Sequence, residues 1–339
     1  MKKPLISVVM SVYNGEKYLA SAIESILTQT IDDFEFIIVN DGSNDSSLSI
    51  INAYAVVDCR IKLITRSNKG LINSLNEGLS ISSGVYIARM DADDISIRNR
   101  FEKQIEFLES NPEVGVCGSW VEVFGEDVKS KVWKMPLENS VLKAGLIFSV
   151  PFAHPTVMMR KSIIDLHGLK YDLNYKDAED YKFWLDFSKY TLFLNVPMVL
   201  LKYRYHQESI SRQADKKKNQ DRFQTISKIQ TEALLRIGVE LTDDERKILF
   251  IMSLNERILQ NEIDIYAIKR LFAKITDLYL YNEDYTSHDL EKILARKYFI
   301  YQVLSVKRDR TMRRLNFFDA FFLKGGFQMI KEKLNLLVP

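Results

Sequence analysis

The stretch Tyr86-Ile87-Ala88-Arg89-Met90-Asp91-Ala92-Asp93-Asp94 decides how this chain is read. Tyr86, Ile87, Ala88 and Met90 form a short apolar run with the character of a buried strand, and the run stops at aspartates. Asp91, Asp93 and Asp94 then fall just past the carboxyl end of that strand, which is where open α/β sheets bind ligands. Two carboxylates separated by one residue can share a hard divalent cation that keeps positions open for phosphate oxygens. The same residues would also serve as an aspartate-rich turn capping a helix that starts near Ile97. Taken alone, the stretch leaves both readings open.

Upstream, the pattern repeats. Leu5 to Val12 is a continuous apolar run, followed by Tyr13-Asn14-Gly15 and by Tyr18, Leu19, Ala22, Ile23, Ile26 and Leu27 at helical spacing. Phe34 to Val39 is a second buried strand that ends at Asn40-Asp41-Gly42-Ser43 and leads into a helical patch around Leu48 and Ile51. Ile61 to Ile64 is a third strand, and after Asn68-Lys69-Gly70 a helix carries Leu71, Ile72, Leu75 and Leu79. Four strands alternating with helices predict an α/β fold with a mostly parallel sheet flanked by helices. Each polar cluster lies at a strand's carboxyl end.

Downstream, Arg100 to Glu109 is predicted helical, Val114 to Phe124 a strand region, and Lys131 to Met159 mixed around His154-Pro155. Asp177-Ala178-Glu179-Asp180 opens a helix with acids in its first turn, where the helix dipole favours them. Leu192 to Val199 and Leu200 to Tyr205 have the pattern of a closing hairpin. From about Ala214 helical patterns run almost to the end. The expected organisation is an α/β catalytic unit at 1–212 and a helical C-terminal region at 213–339.

Composition bounds the function classes. The chain has 339 residues, 46% hydrophobic and 27% charged, with a formal net charge of +2. That is ordinary for a soluble globular protein and argues against one that wraps nucleic acid. Cys59 and Cys117 are isolated, so neither a disulfide framework nor a zinc site is expected, and the cytosol is the natural compartment. No apolar run reaches the roughly 18 residues of a spanning helix.

Six motifs stand in order: Ser7 to Asn14, Asn40 to Ser43, Asn68 to Gly70, Asp91 to Asp94, Glu179-Asp180 with Trp184, and Tyr203-Arg204-Tyr205-His206. Together they resemble family 2 glycosyltransferases of the GT-A fold, over about the first 212 residues. Within that family the chain is similar to bacterial enzymes that build O-antigen or capsule repeat units. The resemblance implies inverting transfer of a hexose from a UDP-sugar to a hydroxyl of a saccharide acceptor, with Mn²⁺ or Mg²⁺ as cofactor. It also implies an acceptor linked to undecaprenyl diphosphate, hence a cytoplasmic protein peripheral at the inner face of the cell membrane.

The residues fit those roles. Asp41 can accept from the uracil imide while amides near Val12 meet a carbonyl. Asp41-Gly42 can also be a plain turn, and Asn14 and Glu16 plain caps of the first helix. By resemblance Asn14 and Glu16 line the nucleotide pocket, Asp91 accepts from ribose, and Asp93 and His206 hold the metal; a lone histidine after a strand is equally read as an ordinary surface or core residue. Lys69 and Arg204 carry charge suited to phosphate or to solvent. His154 shapes the acceptor side by resemblance, and Trp184 lies on an apolar helix face that suits a core role. Glu179, Lys182, Asp186 and Lys189 recur as one solvated stripe, which leaves Asp180 off it beside Trp184 and Phe187, either as a buried acid satisfied by backbone N–H groups at the helix start or facing a pocket, where an inverting transfer needs a base; Asp180 is the expected catalytic base. Lys307 to Arg314, followed by Phe317, Phe318, Phe321, Phe322 and Phe327, suits an anionic membrane surface or a packed terminal helix. A sugar-1-phosphate nucleotidyltransferase would need a glycine-rich loop with Arg and Lys after the first strand, where Ser11-Val12-Tyr13-Asn14 stands. A binding protein without chemistry is the third alternative.

Overall fold

The computed structural model describes residues 3–126, 128–206, 219–254, 263–279, 287–309 and 323–327. The chain divides into two compact units, Met1–Asn139 with Val150–Lys217, and Ser140–Ser149 with Lys218–Pro339.

The first unit opens with β1 (Ile6–Val12), α1 (Glu16–Leu27), β2 (Phe34–Asn40), α2 (Ser47–Val57), β3 (Ile61–Thr65), α3 (Leu71–Ile81) and β4 (Tyr86–Asp91). Every residue of β2 is buried, as is every residue of β1 except Ser11. Continuous apolar runs of this kind belong to parallel strands covered on both faces. β1 pairs in parallel with both β2 and β4, with Val12 beside Asn40 and Ser11 beside Asp91. The register therefore brings the polar clusters after these three strands to one level.

The chain continues through β5 (Ile95–Ser96), α4 (Arg100–Ser110), β6 (Val114–Gly125), β7 (Val128–Trp133), α5 (Asn139–Gly145), a 3₁₀ turn at His154–Thr156, β8 (Met158–Arg160), α6 (Lys161–His167), α7 (Glu179–Phe187) and β9 (Leu192–Arg204). The strand order is β3-β2-β1-β4-β8-β6-β9-β5, with β7 paired to β6. The sheet is mixed. β8 runs antiparallel to β4 and β6, and β7 antiparallel to β6, whereas β9 runs parallel to β6.

β9 corrects the expected hairpin, since Leu192 to Arg204 is one strand. Val196 pairs with Ser119 and Val199 with Trp120, so Pro197 and Met198 bulge outward between them and are exposed. A bulge accommodates a proline that has no N–H to give the ladder. The strand thus passes its breaker and delivers Arg204 beside the end of β4.

In the second unit, α8 (Asn219–Leu235), α9 (Asp243–Ser253), α10 (Ile265–Tyr279) and α11 (Ser287–Asp309) enclose a core of Leu234, Leu249, Leu271, Phe272, Leu294 and Tyr298. Ile147 and Phe148, carried in by the segment after α5, belong to the same core. α9 begins in a capping box between Thr242 and Glu245. Among the described residues no helix is long and apolar enough to cross a membrane. Of the cationic and aromatic stretch expected at a membrane surface, 310–322 lie outside the described residues; Phe327 is exposed.

Candidate active site

β4 ends in a cluster of acids. One carboxylate oxygen from each of Asp91, Asp93 and Asp94 lies within 4.8 Å of the others. Asp94 is buried, takes the backbone N–H of Arg204 on Oδ1 at 2.7 Å, and leaves Oδ2 buried without a hydrogen-bond partner. Burial raises its pKa well above the usual carboxylate range, and Asp93 and Asp91 add to the effect. Burial also raises Asp91; the Arg89 guanidinium, ion-paired with it, offsets this in part, while Asp93 works against ionisation.

The end of β9 closes on this cluster. Nε2 of His206 lies 2.8 Å from Oδ2 of Asp93, and the Arg204 Nε donates to the Asp93 carbonyl at 2.7 Å. The structure thus brings together the two expected metal ligands, 113 residues apart in sequence. Asp91 stands beside them, across from Ser11 of β1.

Behind the cluster lies a buried guanidinium. Arg89 is 5% exposed, its Nε lacks a hydrogen-bond partner, and it pairs with Asp91. Burial alone would lower its pKa, but Asp91 outweighs that and holds the cation charged. Its field reaches Asp180 and Glu179 in the first turn of α7 and His154 in the 3₁₀ turn. Asp180 is half-buried and takes the Tyr181 N–H at 2.7 Å. Burial raises its pKa, and the Tyr181 amide and Arg89 counter only part of the rise. His154 accepts from or donates to the Tyr171 hydroxyl at 2.8 Å and is held neutral, first by burial and then by Arg89.

Glu179 corrects the solvated stripe. It is 9% exposed, and burial, followed by Asp180, pushes its carboxyl up to about 7. Lys182 and Asp186 are half-buried and pair at 2.7 Å, so only Lys189 of the four is exposed. Helical spacing fixes a direction around an axis; how high the neighbouring chain rises on that side is a tertiary property. Trp184 is fully buried among Phe152, Phe183, Phe187 and Phe193, as its apolar face predicts.

The loops after β1, β2 and β3 interlock beside the acids. Asp41 is buried and ion-paired with Arg66, and its carboxylate takes the amides of Lys69 and Gly70, each at 2.8 Å. Its own N–H donates to the Val12 carbonyl at 2.8 Å. Gly42 sits at φ +72°, and a Cβ there would approach the Asn68 N–H nitrogen to 2.6 Å, so only glycine fits. Asn14 and Glu16 are exposed and bind the loop after β2: Asn14 Oδ1 takes the Asn44 N–H and Glu16 Oε2 the Ser46 N–H, both at 2.8 Å. Ser43, Asp45 and Ser47 return the bonds to the amides of Asn14, Glu16 and Gly15. Lys69 is exposed beside them. Arg66 and Arg89 were missed in the sequence; the signal for Arg89 is a cation inside an apolar strand, which burial makes costly unless it is paired.

The donor set fits a hard divalent cation. Oxygen-rich clusters suit Mg²⁺ and Mn²⁺, and imidazole is an acceptable further ligand for the latter. The orphaned Oδ2 of Asp94 and the raised carboxyls of Asp91 and Asp94 show negative charge that the protein itself leaves poorly compensated.

Fold and site together define an α/β protein whose ligand site lies at the carboxyl ends of its parallel strands. Residues 7–167 match the family described as glycosyl transferase family 2. An uncharacterized glycosyltransferase of Haemophilus influenzae is 34% identical over 98% of both chains. The amylovoran biosynthesis glycosyltransferase AmsE of Erwinia amylovora is 34% identical over 61% of this chain and 79% of its own. The O-antigen biosynthesis glycosyltransferase WbnJ of Escherichia coli is 34% identical over 62% of this chain and 83% of its own. Among solved structures, S. aureus TarS 1-349 in complex with UDP-GlcNAc superimposes with a TM-score of 0.61 at 16% identity, over 91% of this chain and 93% of that one. The chain belongs to glycosyl transferase family 2, and its fold is GT-A.

Proposed function

We propose that this protein is an inverting, metal-dependent glycosyltransferase that moves a hexose from a UDP-sugar to a hydroxyl of a saccharide acceptor during assembly of a surface polysaccharide. One observation carries this: Asp91, Asp93 and Asp94 cluster past the carboxyl end of β4, and His206, just past β9, meets Asp93 there. The names of AmsE and WbnJ support the pathway, and the UDP-GlcNAc bound to TarS supports the donor class.

Within this reading Asp41, Val12, Asn14, Glu16 and Lys69 form the nucleotide side of the site, and Asp91 accepts from the ribose hydroxyls. Asp93 and His206 hold Mn²⁺ or Mg²⁺. When bound, the ion neutralises negative charge that develops on the departing diphosphate. Asp180 takes the proton of the acceptor hydroxyl as that oxygen attacks the anomeric carbon from the face opposite UDP. A carboxylate whose affinity for protons burial has raised is suited to this at neutral pH. One displacement inverts the anomeric centre and needs no covalent nucleophile. Glu179 is too deeply buried to reach an acceptor, and Asp180 beside it adds to the rise that burial gives its carboxyl.

The acceptor is an undecaprenyl-diphosphate-linked saccharide, and the protein works at the anionic inner face of the membrane, with residues 1–212 catalytic and 213–339 as the helical region that approaches that surface. The test is product analysis with a panel of UDP-sugars against lipid-diphosphate-linked GlcNAc and GalNAc. A transferase releases UDP in proportion to acceptor consumed. Release of pyrophosphate would identify a nucleotidyltransferase, and binding without turnover a non-catalytic protein.

A further inference from the structure

Arg204 occupies a position that charge alone does not explain. Its guanidinium carbon lies 4.3 Å from the ring centroid of Tyr18 in α1 and 4.5 Å from that of Phe124 at the end of β6. Cations over two aromatic faces are held by both ring quadrupoles, and a planar guanidinium lies flat there in a way an ammonium cannot. The orientation so fixed aims Nε at the Asp93 carbonyl, 2.7 Å away. The backbone N–H of the same residue donates to Oδ1 of Asp94, also at 2.7 Å. Two residues further on, His206 rests against Tyr18, ring centroids 5.3 Å apart, and meets the Asp93 carboxylate at 2.8 Å. The next backbone N–H, that of Tyr205, is tied to the Phe124 carbonyl at 2.7 Å.

We propose that Arg204 is a positioning residue that presents Asp93 and His206 to a divalent cation as one preformed unit. The inference rests on the metal reading above and deepens it. Asp93 sits in a loop and His206 two residues past the end of β9, so neither element alone fixes the distance between the two side chains. Arg204 joins them from both directions: Nε holds the backbone of Asp93, its own amide holds Asp94, and the Tyr18 and Phe124 rings hold the strand end from which His206 projects. Residues that orient metal ligands without touching the metal are costly to lose, by about 10–100-fold in metal affinity. The sequence motif is explained in the same step. Tyr18 is shared, since its ring is in contact with both Arg204 and His206.

The experiment is Mn²⁺ binding to the full chain by isothermal titration calorimetry, with free Mn²⁺ followed by electron paramagnetic resonance. Wild type is compared with Arg204→Lys, Arg204→Gln, Phe124→Leu and Asp93→Ala, and UDP binding without metal and the thermal midpoint serve as controls. Arg204→Gln is expected to weaken Mn²⁺ binding by at least about tenfold while metal-free UDP binding and the midpoint stay near wild type. Arg204→Lys, which keeps the charge but loses the planar guanidinium and the Nε bond, is expected to recover only part of the affinity. Should Arg204→Gln fail to fold, Phe124→Leu, which removes one face of the clamp, decides: a measurable loss of Mn²⁺ affinity supports the proposal and an unchanged affinity overturns it. Wild-type Mn²⁺ affinity in a folded Arg204→Gln protein overturns it outright. A wild type that binds no Mn²⁺, or an Asp93→Ala variant that binds it equally well, instead overturns the metal reading and takes this inference with it.

Discussion

Two regions of the α/β unit bury a glutamate, and they treat it in opposite ways. At the amino ends of the parallel strands, Glu35 of β2 is 4% exposed and takes the Ser7 hydroxyl at 2.5 Å, the Ser83 N–H at 2.7 Å, the Ser83 hydroxyl at 2.8 Å and an ion pair from Lys62. Burial there works against the charge, but Lys62, Ser7 and Ser83 outweigh it and bring the carboxyl down to about 2. In the first turn of α7, Glu179 is buried without enough donors, and that burial, with Asp180 adding to it, pushes the carboxyl up to about 7. The lesson concerns division of labour. One end of the unit spends its hydrogen bonds on holding strands together, and the other keeps negative charge under-compensated beside Asp180, Asp91 and Asp94, where a substrate or cation can complete it.

The largest effect tests the mouth. Asp93→Ala is expected to bring transferase activity to background, and excess EDTA is expected to do the same to wild type, measured as UDP release. Full turnover in EDTA would mean that the acid cluster serves some purpose other than holding a metal. Asp180→Asn comes next. It keeps shape and most hydrogen bonding but cannot take a proton, so kcat is expected to fall by about 10²–10⁴-fold with donor binding near wild type. Normal turnover would remove Asp180 as the base, and loss of activity through unfolding alone would return it to a structural role.

At the opposite end, Glu35→Gln is expected to cost stability and leave catalysis intact. The folded-state pKa of Glu35 is depressed, so its contribution is present above the unfolded value of about 4.5 and is lost as pH falls towards about 2. At about 1.4 kcal/mol per pH unit, up to about 3 kcal/mol is at stake at neutral pH. Urea unfolding of both proteins should show a gap at pH 7 that narrows below pH 4.5. A constant gap would mean that packing, not charge, stabilises this corner.

How much of this was legible in the sequence follows from the same contrast. β1 to β4 and their helices were readable because strands covered on both faces must be apolar throughout, and their polar ends then mark the site. Asp91 and Asp93 stand out as acids at such an end, whereas Asp180 and His206 are singled out by the motifs they share with the family, and the structure sets His206 against Asp93. Glu179 was misplaced because a helical stripe records direction and not depth. Arg89 went unassigned because the groups that favour its charge, Asp91 and Asp94 apart, come from Tyr171 and from Asp180 and Glu179 of distant α7. β9 was split in two between Val199 and Leu200, beside the bulge at Pro197 and Met198 that interrupts its pairing with β6. β7 carries Lys129, Lys131 and Trp133 on an exposed edge and has no apolar face for periodicity to detect.

The smallest expected effect is the sharpest test of the comparison, because it has the opposite sign to that of Glu35. The folded-state pKa of Glu179 is raised, so the folded protein binds its proton more tightly than the unfolded chain does. Its favourable contribution is therefore present below about 4.5 and lost as pH rises to about 7, above which the buried anion opposes folding. Glu179→Gln cannot ionise and escapes that cost. The variant is expected to be more stable than wild type at pH 8, by about 1 kcal/mol once imperfect packing of the amide is allowed for, and to lose that advantage at pH 4.5. Asp180 is one cause of the raised pKa of Glu179, after burial, so the two adjacent carboxyls titrate as a pair, and the acidic limb of the kcat profile shows whether replacing Glu179 also moves Asp180. Urea unfolding at pH 4.5 and pH 8, beside the pH profile, separates the two consequences. If Glu179→Gln destabilises equally at both pH values, the carboxyl is paid for by bonds as Glu35 is, and the two ends of the unit do not differ in the way described. If stability rises at pH 8 while the acidic limb stays where it was, Glu179 is strained but does not tune Asp180, and the base owes its raised pKa to burial alone.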